Sequence, residues 1–305
     1  MKGKKLAHVL ILVGIFFVSL FIFTLAKFPE AKLTAVIQGY LQQSLDPFGI
    51  LETDQGREFS VFKGFQYKLI HPVFELSDQT RIELDEVTAA PSLLSLLMFK
   101  PGATVELKQG ASSITATAAA RGDQVSISAS LNEVNFGKLG LLMYLAQIKG
   151  GGIISGDFKL DGTLSDLNSL SGKVDFKLKS VQIDEQSIMG MLQLKKPVKI
   201  AEGIIDIKIE QGKVVLNNVA LGKPNSKDDL NVLVKGDITL KKNVNSSELN
   251  LKAYFGISDS LKQDFGFLET LLTSAKQTDG RYAYKISGPL SAPLPPSPLT
   301  ESANK

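Results

Sequence analysis

The chain has 305 residues, 44% hydrophobic and 21% charged, which suits one large or two ordinary folded domains and excludes a disordered or polytopic membrane composition. It has no cysteine, so a disulfide framework, a thiolate zinc site and a cysteine nucleophile are excluded. Lys2, Lys4 and Lys5 account for the whole net charge of +3; the remainder balances 31 basic against 31 acidic residues, and charge gives no support for nucleic-acid binding.

Residues 1–5 read as a cytoplasmic tip. Leu6 to Ala26, LAHVLILVGIFFVSLFIFTLA, contains no Asp, Glu, Lys or Arg over 21 residues. About 20 apolar residues in a helix cross a bilayer core. The lysines before this stretch place the N-terminus in the cytoplasm and the bulk of the chain across the membrane. The competing reading is a cleaved signal peptide, with an apolar core of about 7–15 residues and a small-x-small site. This core is longer, and Thr24-Leu25-Ala26 matches such a site poorly. His8 reads as an interfacial histidine rather than a proton relay.

Residues 27–49 form a juxtamembrane segment. Val36, Ile37, Tyr40, Leu41 and Leu45 recur at helical spacing within 31–45, and DPFG ends the run. This amphipathic helix lies either on the outer membrane surface or on the folded domain.

Residues 50–290 read as a β-rich periplasmic domain. GREFSVFKGFQYKL (56–69), TRIELDEVTA (80–89) and the Ala/Ser/Thr-rich run 103–131 alternate as strands do. Turn signals fall at Lys108-Gln109-Gly110, Arg121-Gly122-Asp123, Asp161-Gly162, Glu210-Gln211-Gly212 and Asp279-Gly280. Three helices are predicted. PSLLSLLMF (91–99) opens on Pro91, FGKLGLLMYLAQI (136–148) follows a capping Asn135, and 260–276 is capped by Ser260 with Gln263.

The clearest pattern is GGGIISGDFKLDGTLSDLNSLSGKVDFKLKS (150–180). Phe158, Leu160 and Leu164 share one side, as do Val174, Phe176 and Leu178, with Asp157, Lys159, Asp175 and Lys177 opposite. Gly150-Gly151-Gly152 reads as a flexible entry to this hairpin, since it lacks the Gly-Lys-Ser/Thr ending of a phosphate loop. Ile205, Ile207 and Ile209 continue the alternation. Leu230, Val232 and Val234 precede a break at Gly236, before Ile238 and Leu240. The unit at 234–255 repeats the theme of 155–178 irregularly. The nine residues Phe158, Leu160, Leu164, Val174, Phe176, Leu178, Ile205, Ile207 and Ile209 form a candidate apolar groove or partner face. The tail 291–305 is Pro-rich, polar and expected to be disordered.

Catalytic and metal signals are missing. The two histidines are His8 and His71, and His71, preceding Pro72, reads as a turn residue. The carboxylate pairs Asp85-Glu86 and Asp228-Asp229 would point opposite ways in strands. No catalytic, cofactor or metal residue is expected.

A single anchor, a short amphipathic helix, PSLLSLL after a strand, the double unit GGGIISGDFKLDGTLSDLNSLSGKVDFKLKSVQI and a closing YKISGPLSAP together resemble the bacterial type II secretion system protein N (GspN) family. More distantly they resemble the AsmA-like envelope proteins, whose closing strand Ile286–Pro293 fits. The resemblance implies a mainly β fold: a transmembrane helix, then an extended, curved antiparallel β-sheet, a groove or taco, with a few short helices. It implies a non-enzymatic inner-membrane accessory of the secretion machinery, whose partners are the bilayer and other secretion-system proteins, with acyl chains of lipids as the alternative occupant of the apolar face. It assigns no functional residue and no cofactor.

Overall fold

The structure, a computed structural model, describes residues 49–60, 65–77, 79–92, 101–140, 142–143, 147–163, 165–188, 192–224, 226–264 and 272–299. The predicted anchor at 6–26, the helix at 31–45, most of the helix at 91–99 and Leu164 lie outside these residues. Among the described residues no helix is long and apolar enough to cross a membrane.

The chain is mainly β. Its strands are β1 (Gly49–Thr53), β2 (Gly56–Ser60), β3 (Gln66–Ile70), β4 (Val73–Leu76), β5 (Arg81–Glu83), β6 (Glu86–Pro91), β7 (Gly102–Gln109), β8 (Ser112–Arg121), β9 (Gln124–Asn135) and β10 (Gly150–Thr163). Then follow β11 (Asp166–Ile183), β12 (Ser187–Ile188), β13 (Leu192–Gln193), β14 (Val198–Glu210), β15 (Lys213–Leu221), β16 (Leu230–Thr239), β17 (Glu248–Ile257), β18 (Tyr282–Pro289) and β19 (Ser297–Pro298). Fourteen of them build one antiparallel sheet in the order β19-β18-β17-β16-β15-β14-β11-β10-β9-β8-β7-β6-β3-β2. The two departures from sequence order carry small additions: β4 and β5 join β1 in a three-stranded sheet, and β12 pairs with β13.

The hairpin turns follow from local chemistry. Gly110 and Gly122 open two-residue loops with φ of 59° and 57°, and Gln211-Gly212 is left-handed at both positions, 49° and 72°. Left-handed loop residues match the twist of the flanking strands. Asp161-Gly162 behaves otherwise. Both residues lie inside β10, the register shifts between Asp161 and Thr163, and the chain reverses between Thr163 and Asp166. Gly236 likewise interrupts nothing: β16 runs through it at φ 132°, opposite Leu251. A glycine that reads as a turn is here a local irregularity inside a continuing strand.

Gly150, Gly151 and Gly152 are strand residues rather than a flexible entry. A Cβ on Gly150 would meet the Gln182 carbonyl oxygen at 2.3 Å, and one on Gly152 would meet the Phe136 ring at 2.7 Å. Close approach, not mobility, requires glycine there.

The helices are shorter than predicted. Pro91 ends β6 instead of opening a helix. Residues 136–140 are turns in which the Lys138 N–H donates to Asn135 Oδ1 at 3.0 Å, so the predicted cap residue caps a turn. Helical structure in that stretch is described only at 142–143. Helix α1 (Asp259–Asp264) starts from Ser258, whose Oγ accepts from the Leu261 N–H at 3.3 Å, two residues before the predicted Ser260. Thr273–Ala275 is a 3-10 turn.

Two apolar clusters are buried, both toward one end of the strands. The first joins Tyr67, Leu69, Leu84, Val87, Val134 and Leu139, with Leu51, Phe74 and Ile82 of the three-stranded sheet laid over it. The second joins Phe136, Val181, Leu194, Val198 and Ile200, with Leu142 and Leu261 packed on it.

Residues 291–299 of the tail differ from their expected disorder, while 300–305 lie outside the described residues. Residues 291–299 run beside β18: the Leu294 N–H donates to Ser287 O at 2.8 Å, and the Leu299 N–H to Ala283 O at 2.9 Å. Backbone pairing needs no apolar alternation, which is why a Pro-rich sequence gave no sign of it.

Candidate functional site

Residues directly opposite in antiparallel strands project to the same face. Phe158 stands opposite Val174, Gly156 opposite Phe176, and Leu160 opposite Gly172. Across the next ladder Val174 faces Ile207, Phe176 faces Ile205, and Gly172 faces Ile209. The structure therefore places Phe158, Leu160, Val174, Phe176, Leu178, Ile205, Ile207 and Ile209 on one face; Leu164 falls outside the described residues.

The same face continues well beyond these residues. Ile205, Ile207 and Ile209 lie opposite Val219, Leu216 and Val214. These lead to Val234, Gly236 and Ile238, then to Ala253, Leu251 and Leu249, and then to Tyr284, Ile286 and Gly288. At the β17–β18 end the face turns aromatic, with the Phe255 ring 5.5 Å from Tyr282 and 6.1 Å from Tyr284. In the other direction Phe158 leads to Ala129, Ala116, Val105 and Ala89, and Gly156 to Leu131, Ile114, Leu107 and Val87. The periodicity that marked residues 158–209 is present in all these strands, but the alanines of β8 and β9 weaken the signal.

What covers this face differs along the strands. Leu178 packs against the second buried cluster. The other seven described candidates belong to neither cluster and are half-buried. Among the described residues, the helical positions that reach the face, Leu142 and Leu261, do so at that one end. The middle of the apolar face therefore has no second layer among the described residues, whereas at the far end Leu170 and Leu249 are buried again.

The opposite face is charged, and its charges lie in rows. Asp157, Asp175 and Asp206 stand in one row across three adjacent strands, as do Lys159, Lys173 and Lys208. Like charges directly opposite cost stability. Each lysine offsets this by pairing along its own strand: Lys159–Asp161 at 3.3 Å, Lys173–Asp175 at 3.0 Å and Lys208–Glu210 at 2.6 Å. The Asp175 hydrogen bond and charge raise Lys173 above its ordinary 10.5, and Asp206 adds to the effect. On β6, Glu86 accepts from Lys68 at 2.6 Å and from Lys108 at 3.4 Å. The Lys68 bond is the chief cause that holds Glu86 below 4.5.

The adjacent carboxylates hold backbone together. Asp228 Oδ1 accepts from the Ala201 N–H at 2.6 Å, and Asp229 Oδ2 from the Lys199 N–H at 2.9 Å. They satisfy the start of β14, which β15 does not reach. Asp85 Oδ2 accepts from the Gly110 N–H at 2.6 Å. His71 occupies the β3–β4 turn at φ 46°, its N–H donating to Asp85 O at 2.9 Å. No group of three or more His, Asp or Glu side chains is arranged to hold a metal among the described residues.

The broad apolar sheet face, buried toward its ends and single-layered over its middle among the described residues, is thus the candidate site. No protein-family model, curated protein or solved structure matches the chain.

Proposed function

We propose that this protein is a membrane-tethered, non-catalytic envelope component whose apolar sheet face, a curved groove, holds acyl chains of lipids. The observation that supports this reading is the continuity of the face from Tyr67 to Ile286 without a covering layer over Phe158, Val174, Phe176, Ile205 and Ile207 among the described residues. Apolar surface of that extent is not left to water; each large side chain brought under cover contributes about 1.5–3 kcal/mol. A lipid needs no hydrogen-bond partners there, and the ladders leave the middle of the face none to offer.

The test is lipid extraction and native mass spectrometry of the full chain purified in detergent. Phospholipid should co-purify, and the double variant Phe176→Glu/Ile207→Glu should retain at least fivefold less while keeping its β-sheet circular dichroism. Folded protein free of lipid would sink the reading.

A second reading, the inner-membrane accessory of the type II secretion machinery, draws on the sequence resemblance and on the rows of charge on the opposite face, which suit a protein partner. Crosslinking through Asp157, Lys173 or Asp206 positions in a host that assembles the machine tests it. A clean failure to capture any secretion component there would count against it.

A further inference from the structure

The first buried cluster is incompletely filled. Between the three-stranded sheet and the main sheet lies a cavity of about 330 Å³. Phe74 and Leu76 form its roof, Leu107, Ile114 and Val134 its floor, and Gly49 stands at its rim. It is a half-open cleft whose exposed lining is almost wholly apolar although Glu75, Lys108, Gln109, Ser112 and Ser113 border it, so its inner surface offers water few partners.

Three observations narrow the occupant. The floor continues into the open face, since Leu107 stands opposite Ile114, Ile114 opposite Leu131, and Leu131 opposite Gly156. The floor and roof strands spend their amides in ladders, on β7 to β9 and between β4 and its neighbours β1 and β5. A polypeptide inserted here would bury its own N–H and C=O groups unpaired, whereas an alkyl chain would bury none. Finally, β1 begins at the rim, and only residues 27–48 separate it from the uncharged apolar stretch Leu6–Ala26. The cavity is tied by a short length of chain to the segment read as membrane-embedded.

We propose that this cavity takes the methyl end of one acyl chain of a membrane lipid whose remaining length lies along the open face. The proposal rests on the lipid reading above and adds where the chain ends and which way it runs.

The test uses the full chain in bicelles containing a phosphatidylcholine with a photoreactive diazirine at the terminal carbon of one acyl chain, or at mid-chain. After irradiation the labelled residues are mapped by mass spectrometry. The terminal probe should label Phe74, Leu76 or Ile114 at least fivefold more than the mid-chain probe does, with the mid-chain probe on Phe158, Phe176 or Ile207. Equal labelling of the open face by both probes, with none in the cavity, overturns the proposal and leaves the lipid reading standing. Labelling of neither overturns both. Ile114→Trp, which fills the cavity, should cut terminal-probe labelling of Phe74 and Leu76 at least fivefold without changing labelling of the open face, and unchanged labelling in a folded variant overturns the proposal. A tryptophan here can unfold the chain, so the two-probe contrast on the unmutated protein decides.

Discussion

Gly156 and Phe176 stand directly opposite each other across β10 and β11, so the aromatic ring faces a position without a side chain. The pairing is enforced by backbone crowding: a Cβ on Gly156 would lie 1.9 Å from the Asp175 carbonyl oxygen, at φ 138°. Gly156→Ala should destabilise the fold by about 2–4 kcal/mol, from left-handed strain and separation of the two strands. Gly110→Ala, where nothing lies within 4 Å but φ is 59°, should cost about 1–2 kcal/mol. Urea unfolding of both variants measures the difference, and equal costs would refute the crowding account.

Stability and lipid retention should separate between two isoleucines of the same strand. Ile200, 2% exposed in the second cluster, should lose about 2–5 kcal/mol as Ile200→Ala and keep its lipid. Ile207, half-buried on the open face, should lose only about 1 kcal/mol as Ile207→Ala, while the bound lipid falls. Chemical denaturation and lipid quantification on the same preparations give both numbers.

Acid should weaken the β14 start through Asp228. Burial pushes its carboxyl up, but the hydrogen bonds from Ser226, the Ala201 N–H and the Lys223 N–H together outweigh it and hold it below 3.8. A folded value below the unfolded one means the contribution is complete above about 3.8 and is lost as the pH falls through the folded value. Asp228→Ala should cost about 2 kcal/mol at neutral pH and flatten the acid limb of the melting temperature against pH. An unchanged acid limb would show that Asp228 is not the group responsible.

The tail 291–299 should act as an edge guard. It covers β18 with a segment whose Pro293, Pro295, Pro296 and Pro298 have no N–H to offer a further strand. Truncation after Ala292 should expose the β18 carbonyls at Ala283 and Ser287 and cause self-association that rises with concentration. Light scattering after size exclusion reads it; truncated and full chains of equal mass at every concentration would exclude the role.

Legibility in the sequence followed the physics of each signal. The strands around 157–160, 173–179 and 205–210 were readable because charged and apolar residues alternate there one for one. Gly162 and Gly236 were misread because glycine marks a turn and a strand irregularity with the same letter. The β1–β4–β5 roof escaped because β1 pairs with a strand beyond β2 and β3, and local periodicity carries no record of such a partner. The cavity escaped for the same reason, as its walls come from β1, β4, β5, β7, β8 and β9. Periodicity shows which residues share a face; it does not show where a second layer stops.

Apart from the steps from β3 to β6 and from β11 to β14, every strand of the large sheet from β2 to β19 pairs with its immediate successor in the chain. Such an order keeps contacts local and allows folding to proceed by addition at one edge, each new strand templated by the one before. A chain synthesised from its N-terminus can therefore be organised strand by strand, without waiting for its C-terminal half. The same order makes length adjustable. An inserted or deleted hairpin adds or removes two strands and leaves the apolar side of all the others unchanged, so the reach of the sheet can vary while its chemistry is preserved.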